Sequence, residues 1–389
     1  MMAASDVEQG QGQGSESGLK VEPERGNFKN ARGLRLERYT WRASALRDRG
    51  FGIVNERGGG GGFSGEVHDQ EPAGSEDEIL PAAIVIFVHG YCVHARYEAL
   101  LPEYPGAPGH NRYEGSITHR LNEVGFDVHA FDLQGHGLSE KYRGEPCYVD
   151  DFDDFAKDVI QFTEMVKREY ADKCSKREVV PPLYIVGASM GGLVTLRTTQ
   201  LAPDLANGIV LLAPAIMMLD EENYCCWYFL KKPALHFLNP VIKRFRLISR
   251  YRATDKDMWT TEGTDPLNYW GLMHFGMACN MMEGQLRTRS GPQIDVPYII
   301  LSSPNDTHVN SMGSQAMFEQ TTSKDKTLCW MNNMGHSLLY EPPGCEDVVK
   351  LAVSWILERV NPGKSNGVMP LFEEATGEGK SYTIKRCVE

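Results

Sequence analysis

Apolar residues along this chain gather in short runs, separated by longer stretches in which they recur every three or four positions. The runs AAIVIFVHG (82–90), FDVHAFD (126–132), PLYIVG (182–187), NGIVLLAP (207–214), VPYIILSS (296–303) and KTLCWMN (326–332) predict strands, most of them buried. ITHRLNEVG (117–125), VDDFDDFAKDVIQFTEMVKREY (149–170), GLVTLRTTQLAP and EDVVKLAVSWILERV (346–360) predict helices. The second of these opens on acidic residues, which suits the positive end of a helix dipole. Strands that are apolar throughout have both faces covered. Their alternation with helices predicts an α/β fold with a parallel sheet between two helical layers.

The polar stretches divide the chain. Residues 1–30 are rich in Gly, Gln, Ser and Glu and read as a disordered N-terminal segment. The folded domain spans 31–361 and opens with the strand-like LRLERYTW. Residues 57–78, with five glycines in succession, form a flexible insert, and LPEYPGAPGHNRYEG (101–115) is an inserted loop. Residues 215–285 hold no clear strand but carry many large apolar groups, among them Trp227, Tyr228, Phe229, Leu230, Phe237, Trp270, Met273, Phe275, Met277, Met281 and Met282. That length predicts a helical cap over the strand ends, apolar and rich in adaptable methionine. Residues 362–389 read as a loose C-terminal tail.

Charge and cysteine content narrow the partners. The chain has 389 residues and a net charge of −12, the opposite of a nucleic-acid footprint. Nine cysteines without metal-ligand spacing or a CxxC, and no apolar leader, point to reduced thiols in the cytoplasm. No apolar run is long enough to span a bilayer. KRFRLISRYR (243–252) is the basic exception on an acidic chain; it reads either as a solvated helix face or as a surface for peripheral membrane contact through the cap. The oligomeric state leaves no mark in the sequence.

VGASMGGL raises the chemistry. Ser189 stands between a predicted strand and a predicted helix, with Gly187 and Gly191 as the small neighbours that a tight nucleophile elbow requires. A serine hydroxyl needs a base, and the chain order for such an elbow is serine, acid, histidine. His236, His274, His308 and His336 follow Ser189, and only His336, in NNMGHSLLYE, lies in a loop just after the last strand. Asp306 follows VPYIILSS and is the expected acid, whereas Asp295 and Asp325 precede their strands and Asp265 sits in the cap. The oxyanion donors expected are the backbone N–H groups of Met190 and of Tyr91 in the His89-Gly90-Tyr91 loop. Gly90 allows close approach there, and His89 braces the loop. Asp132 and His136 in FDLQGHGLSE lack further ligands at suitable spacing, so no metal and no organic cofactor is expected.

Taken together, VHGYCVHARYEAL, FDLQGHGLSE, DFDDFAKDVIQF, GASMGGLVTL, LLAPAI, DPLNY, the Asp306 loop, DKTLCW and GHSLLYE resemble the serine α/β-hydrolases of the monoacylglycerol lipase and lysophospholipase group, which is serine aminopeptidase S33-like. The resemblance covers about residues 81–360. It implies the α/β-hydrolase fold: a mostly parallel eight-stranded sheet, helices on both faces, and the cap inserted after strand 6. It also implies Ser189, Asp306 and His336 as triad, with Tyr91 and Met190 as oxyanion donors. The chain departs from the group in reading Ser303-Pro304-Asn305 before the acid, and in having Cys92 where a glycine is usual.

The expected activity is cleavage of a fatty-acyl ester through an acyl-serine, with monoacylglycerol as substrate. A lysophospholipid or a general carboxylic ester is the next reading. An aminopeptidase-like hydrolase would draw on Glu221 and Glu222 for a substrate amine. An acyltransferase is disfavoured because no histidine has Asp five positions later, and a non-catalytic binding protein because all three triad residues are present.

Overall fold

The computed structural model describes residues 19–47, 80–102, 111–174, 180–219, 246–248, 265–341, 344–361 and 382–388. Its principal strands are β1 (Glu24–Lys29), β2 (Arg35–Trp41), β3 (Ala83–Val88), β4 (Phe126–Phe131), β5 (Leu183–Ala188), β6 (Gly208–Leu212), β7 (Tyr298–Ser302), β8 (Asp325–Met331) and β9 (Tyr382–Val388). They form one sheet in the order β1-β2-β4-β3-β5-β6-β7-β8-β9. From β4 to β8 every pairing is parallel. The pairs β1–β2, β2–β4 and β8–β9 are antiparallel.

The apolar strands are explained by what covers them. In β3 every side chain is buried. Val85 and Phe87 pack with Ile117 and Leu121 of α1 (Ile117–Glu123) and with Leu351 and Trp355 of α6 (Cys345–Val360). Ile84, Ile86 and Val88 face the other way, toward Phe155 and Phe162 of α2 (Asp153–Lys173) and Leu193 of α3 (Met190–Leu201). Each such aliphatic contributes roughly 1.5–3 kcal/mol by leaving water. Helix α1 starts where Ser116 Oγ accepts the N–H of His119 at 3.1 Å. The remaining long helices are α4 (Phe275–Ser290) and α5 (Met312–Gln320).

This is the α/β-hydrolase architecture, and it differs from the expected outline at both edges of the sheet and in the segments 101–115 and 215–285. Among the described residues the sheet has nine strands, where eight are expected. The ninth, β9, lies in the segment read as a loose tail and pairs with β8 over seven residues. At the other end β1 falls within the segment read as disordered, and only Phe28 of its six residues is buried. An edge strand held by backbone hydrogen bonds needs few apolar side chains, so composition conceals it. In the segment 215–285, Arg246–Ile248 pairs antiparallel with Met273–His274, and within the segment 101–115 a small ribbon joins Leu101–Pro102 to Asn111–Arg112.

The segment expected to form the cap, 215–285, follows β6, and its described part includes the start of α4. Met273, Met277 and Met281 are buried in the same core as Leu193 and Ile209. They pack α4 and the strand before it against this core. Trp227 to Leu230, Phe237, the rest of the basic segment 243–252, and the glycine-rich insert lie outside the described residues. No described helix is long and apolar enough to cross a membrane.

Candidate active site

The carboxyl ends of the parallel strands carry the polar residues that sequence reasoning selected. At the end of β5 the chain turns sharply into α3, and Ser189 sits in that turn with φ +52° and ψ −117°. A non-glycine residue at positive φ is strained and must be held by its surroundings. Here the Ser189 N–H donates to Leu212 O at 2.8 Å, and its carbonyl accepts from Ala215 N at 3.0 Å. The flanking glycines have no room for a side chain. A Cβ at Gly191 would press into the carbonyl oxygens of Val88 and His89, and one at Gly187 would meet Gly191 O at 2.5 Å.

The loops after β7 and β8 bring two more residues to Ser189. His336 Nε2 lies 2.9 Å from Ser189 Oγ. On its other side, His336 Nδ1 lies 2.6 Å from Asp306 Oδ2. The second carboxylate oxygen of Asp306 accepts the backbone N–H groups of His308 at 2.8 Å and Val309 at 2.9 Å. The Asp306 side chain is fully buried, and that of His336 is 11% exposed. Burial opposes the imidazolium of His336. The Asp306 carboxylate outweighs it, aided by Glu98 and Glu341, and holds the pKa above the usual histidine value. Burial likewise opposes the Asp306 carboxylate, but the His336 charge and the two N–H donors keep its pKa below the usual range.

The loop after β3 passes against the serine. A Cβ at Gly90 would lie 3.3 Å from that of Ser189. His89 is fully buried and bridges two loops: its Nδ1–H donates to Gly90 O at 2.8 Å, and its Nε2 accepts the Leu133 N–H at 2.9 Å. Burial, reinforced by neighbouring His136, drives its pKa well below the usual value and keeps the ring neutral, as this bridge requires. Tyr91 follows in the same loop, and Met190 opens α3 with its side chain buried.

FDLQGHGLSE forms a floor beneath this loop. Asp132 is fully buried and accepts from Ala95 N at 2.9 Å, Leu138 N at 2.9 Å and the Tyr39 hydroxyl at 3.0 Å. Burial raises its pKa. The rival acids and bases are engaged elsewhere. Asp265 faces His94 at 3.1 Å, His274 faces Glu145 at 3.1 Å, and Asp325 accepts from Arg359 Nε at 2.8 Å. His236 lies outside the described residues.

Several contributors escaped sequence reasoning. The Glu98 carboxylate accepts the Gly90 N–H, and Glu341 accepts the Gly335 N–H at 2.7 Å and the Ser337 N–H at 3.2 Å. Both brace loops that lie against Ser189 or carry His336. Asp153 makes two 2.8 Å hydrogen bonds to Arg197 and so ties α2 to the helix that follows the serine. Arg287 of α4 joins the same carboxylate at 3.1 Å. None of these carries a local motif. Asp306, His308 and His336 have potential metal-ligand atoms within 4.8 Å of one another. Both oxygens of Asp306 and both nitrogens of His336 are already engaged in hydrogen bonds, which makes this a proton-handling arrangement.

Comparisons with known proteins agree with this architecture. The profile of the family described as serine aminopeptidase, S33, matches residues 80–343. Mouse monoglyceride lipase is 27% identical over 266 residues, which cover 68% of this chain and 84% of that protein. Among solved structures, a soluble variant of monoglyceride lipase from Saccharomyces cerevisiae superposes with a TM-score of 0.59 at 17% identity, covering 90% of this chain and 98% of that one. Monoacylglycerol lipase from Paleococcus ferrophilus gives 0.55 at 22% identity, covering 72% and 96%. With the family profile spanning most of the chain and the fold shared, this protein belongs to the serine aminopeptidase S33 family of α/β-hydrolases.

Proposed function

We propose that this protein is a monoacylglycerol lipase, a serine hydrolase that releases glycerol and a free fatty acid. The observation that carries the mechanism is His336, hydrogen-bonded to Ser189 Oγ at 2.9 Å and to Asp306 at 2.6 Å. Ser189 Oγ attacks the ester carbonyl as His336 Nε2 takes the hydroxyl proton. The carbonyl oxygen becomes an oxyanion, met by the N–H groups of Met190 and Tyr91. Each such donor is worth roughly 2.7–4 kcal/mol of barrier. Asp306 fixes the tautomer that leaves Nε2 free to accept, and it stabilises the imidazolium that forms. Collapse breaks the ester C–O bond, and the departing glycerol oxygen takes the proton from His336. Water then repeats the sequence on the acyl-serine: His336 removes its proton, and Ser189 leaves protonated.

Monoacylglycerol is favoured because several of the matched relatives and two of the structural neighbours bear that activity in their names, although one relative is named a caffeoylshikimate esterase. The cap's apolar composition fits an acyl chain, and membrane contact through the basic segment 243–252 would give access to substrate held in a bilayer. The test is hydrolysis of a monoacylglycerol, a lysophosphatidylcholine and a short nitrophenyl ester by wild type and Ser189→Ala. Preference for the monoacylglycerol and an inert variant support the proposal. Preference for the lysophospholipid moves the substrate and keeps the mechanism. Activity surviving in Ser189→Ala overturns the mechanism.

A further inference from the structure

His308 follows Ser189 in the chain and lies two residues from Asp306. In the structure its ring stacks on that of His336, with centroids 4.8 Å apart and planes 27° from parallel. Its backbone N–H meanwhile donates to Asp306 at 2.8 Å, and the Thr307 hydroxyl lies 3.2 Å from its Nδ1. One residue therefore touches both the acid and the base. We propose that His308 is a positioning residue whose aromatic face holds the His336 ring between Ser189 and Asp306 and stabilises the imidazolium formed during acyl transfer. This rests on His336 acting as the base.

The physical argument is geometric. The edge of the His336 ring is fixed by two hydrogen bonds, at Nδ1 and Nε2, but these leave tilting about the line joining the two nitrogens unopposed. A ring stacked on its face opposes that tilt. A neutral aromatic face also attracts a cationic ring, so the stack favours the protonated form of His336. The charged and titratable groups facing His336 are Asp306 from the loop after β7, Glu98 from the short helix Ala95–Ala99, Glu341 from the loop after β8, and His308 itself. The first three are acids that His308 substitutions leave in place. The backbone N–H to Asp306 also survives any side-chain change, so substitution isolates the ring.

The experiment compares full-length wild type, His308→Ala, His308→Phe and His336→Ala on a short nitrophenyl ester, measuring kcat, KM and the pH profile of kcat/KM. Thermal unfolding of each variant is followed in parallel. In His308→Ala, kcat is expected to fall by about 2- to 10-fold with KM within twofold of wild type. The acid limb of kcat/KM should move to lower pH by about 0.3 to 1 pH unit, because the imidazolium loses its stacking partner. His308→Phe, which keeps a neutral aromatic face, should restore both. If His308→Ala fails to fold, His308→Gln replaces it, since glutamine is polar but offers no aromatic face. The proposal is overturned if the aromatic-free variant matches wild type, if the acid limb stays in place, or if phenylalanine rescues nothing. Wild-type activity in His336→Ala would instead overturn the assignment of the base itself, a separate outcome.

Discussion

Replacing Asp306 by Asn alters one atom and should disable the site while leaving it folded. The structure sets how the new amide must lie. Oδ1 of Asp306 accepts two backbone N–H groups, from His308 and Val309, and an amide nitrogen there would face two donors. The amide oxygen is therefore held at that position, and the NH2 group takes the place of Oδ2, against His336 Nδ1. It donates to Nδ1, which moves the ring proton to Nε2, so the base can no longer accept from Ser189. The lost charge adds to this. Two unit charges with centres about 4 Å apart interact by about 4 kcal/mol at an effective dielectric of about 20, a factor of roughly 10³ in rate. Together the two effects predict a kcat lowered by about 10³- to 10⁴-fold. Assay on a nitrophenyl ester, with a melting curve to verify folding, measures it. Wild type should lose kcat/KM as pH falls through a His336 pKa above 6.5, and Asp306→Asn should lower that limb, because the carboxylate is what raises it. A well-folded variant within tenfold of wild type would refute both the orientation and the charge argument.

Other perturbations test the frame. Arg197→Ala leaves the largely buried Asp153 with Arg287 alone and should cost about 3 kcal/mol in urea unfolding, a loss below 1 kcal/mol speaking against it. The Asp153 pKa is lowered in the fold although burial opposes this, because Arg197 and Arg287 prevail. Its contribution is present above the unfolded value of 3.8 and fades as pH falls through the folded one, so the variant should show less acid sensitivity. Gly191→Ala drives a methyl into two strand-end carbonyls, and we expect at least about 1–3 kcal/mol of destabilisation with loss of serine labelling by a fluorophosphonate. Ending the chain after Asn361 removes β9 and the Arg386–Glu358 ion pair, exposing the edge of β8. It should lower the melting temperature by roughly 5 °C or more and promote aggregation; an unchanged melting curve would show that β9 adds nothing.

The central sheet was legible because strands buried on both faces cannot hide: the run AIVIFV became β3 with every residue covered. The elbow was legible because its turn tolerates so few residues. His336 and Asp306 were legible by position, each in a loop at the carboxyl end of its strand. The outer strands were not, since β1 buries one side chain in six and its pairing is a matter of backbone. Glu98, Arg197 and His308 were missed for a related reason. Each acts on a partner brought near by the fold, through a hydrogen bond, an ion pair or a stacked ring, and none of these leaves a spacing rule in the chain.

The left-handed φ of Ser189 has a consequence for how this protein comes into being. No local sequence preference builds that turn; it exists only while Leu212 and Ala215 grip the serine backbone and the ends of β3 close over Gly191. A nascent or partly folded chain can possess β5 and α3 and still lack a usable nucleophile. Chemical competence therefore arrives late, with the closing of the sheet, and a half-formed molecule cannot attack esters around it. During refolding, the return of reactivity toward a serine-directed probe should trail the return of helical signal. The lag between them would time the last step of assembly.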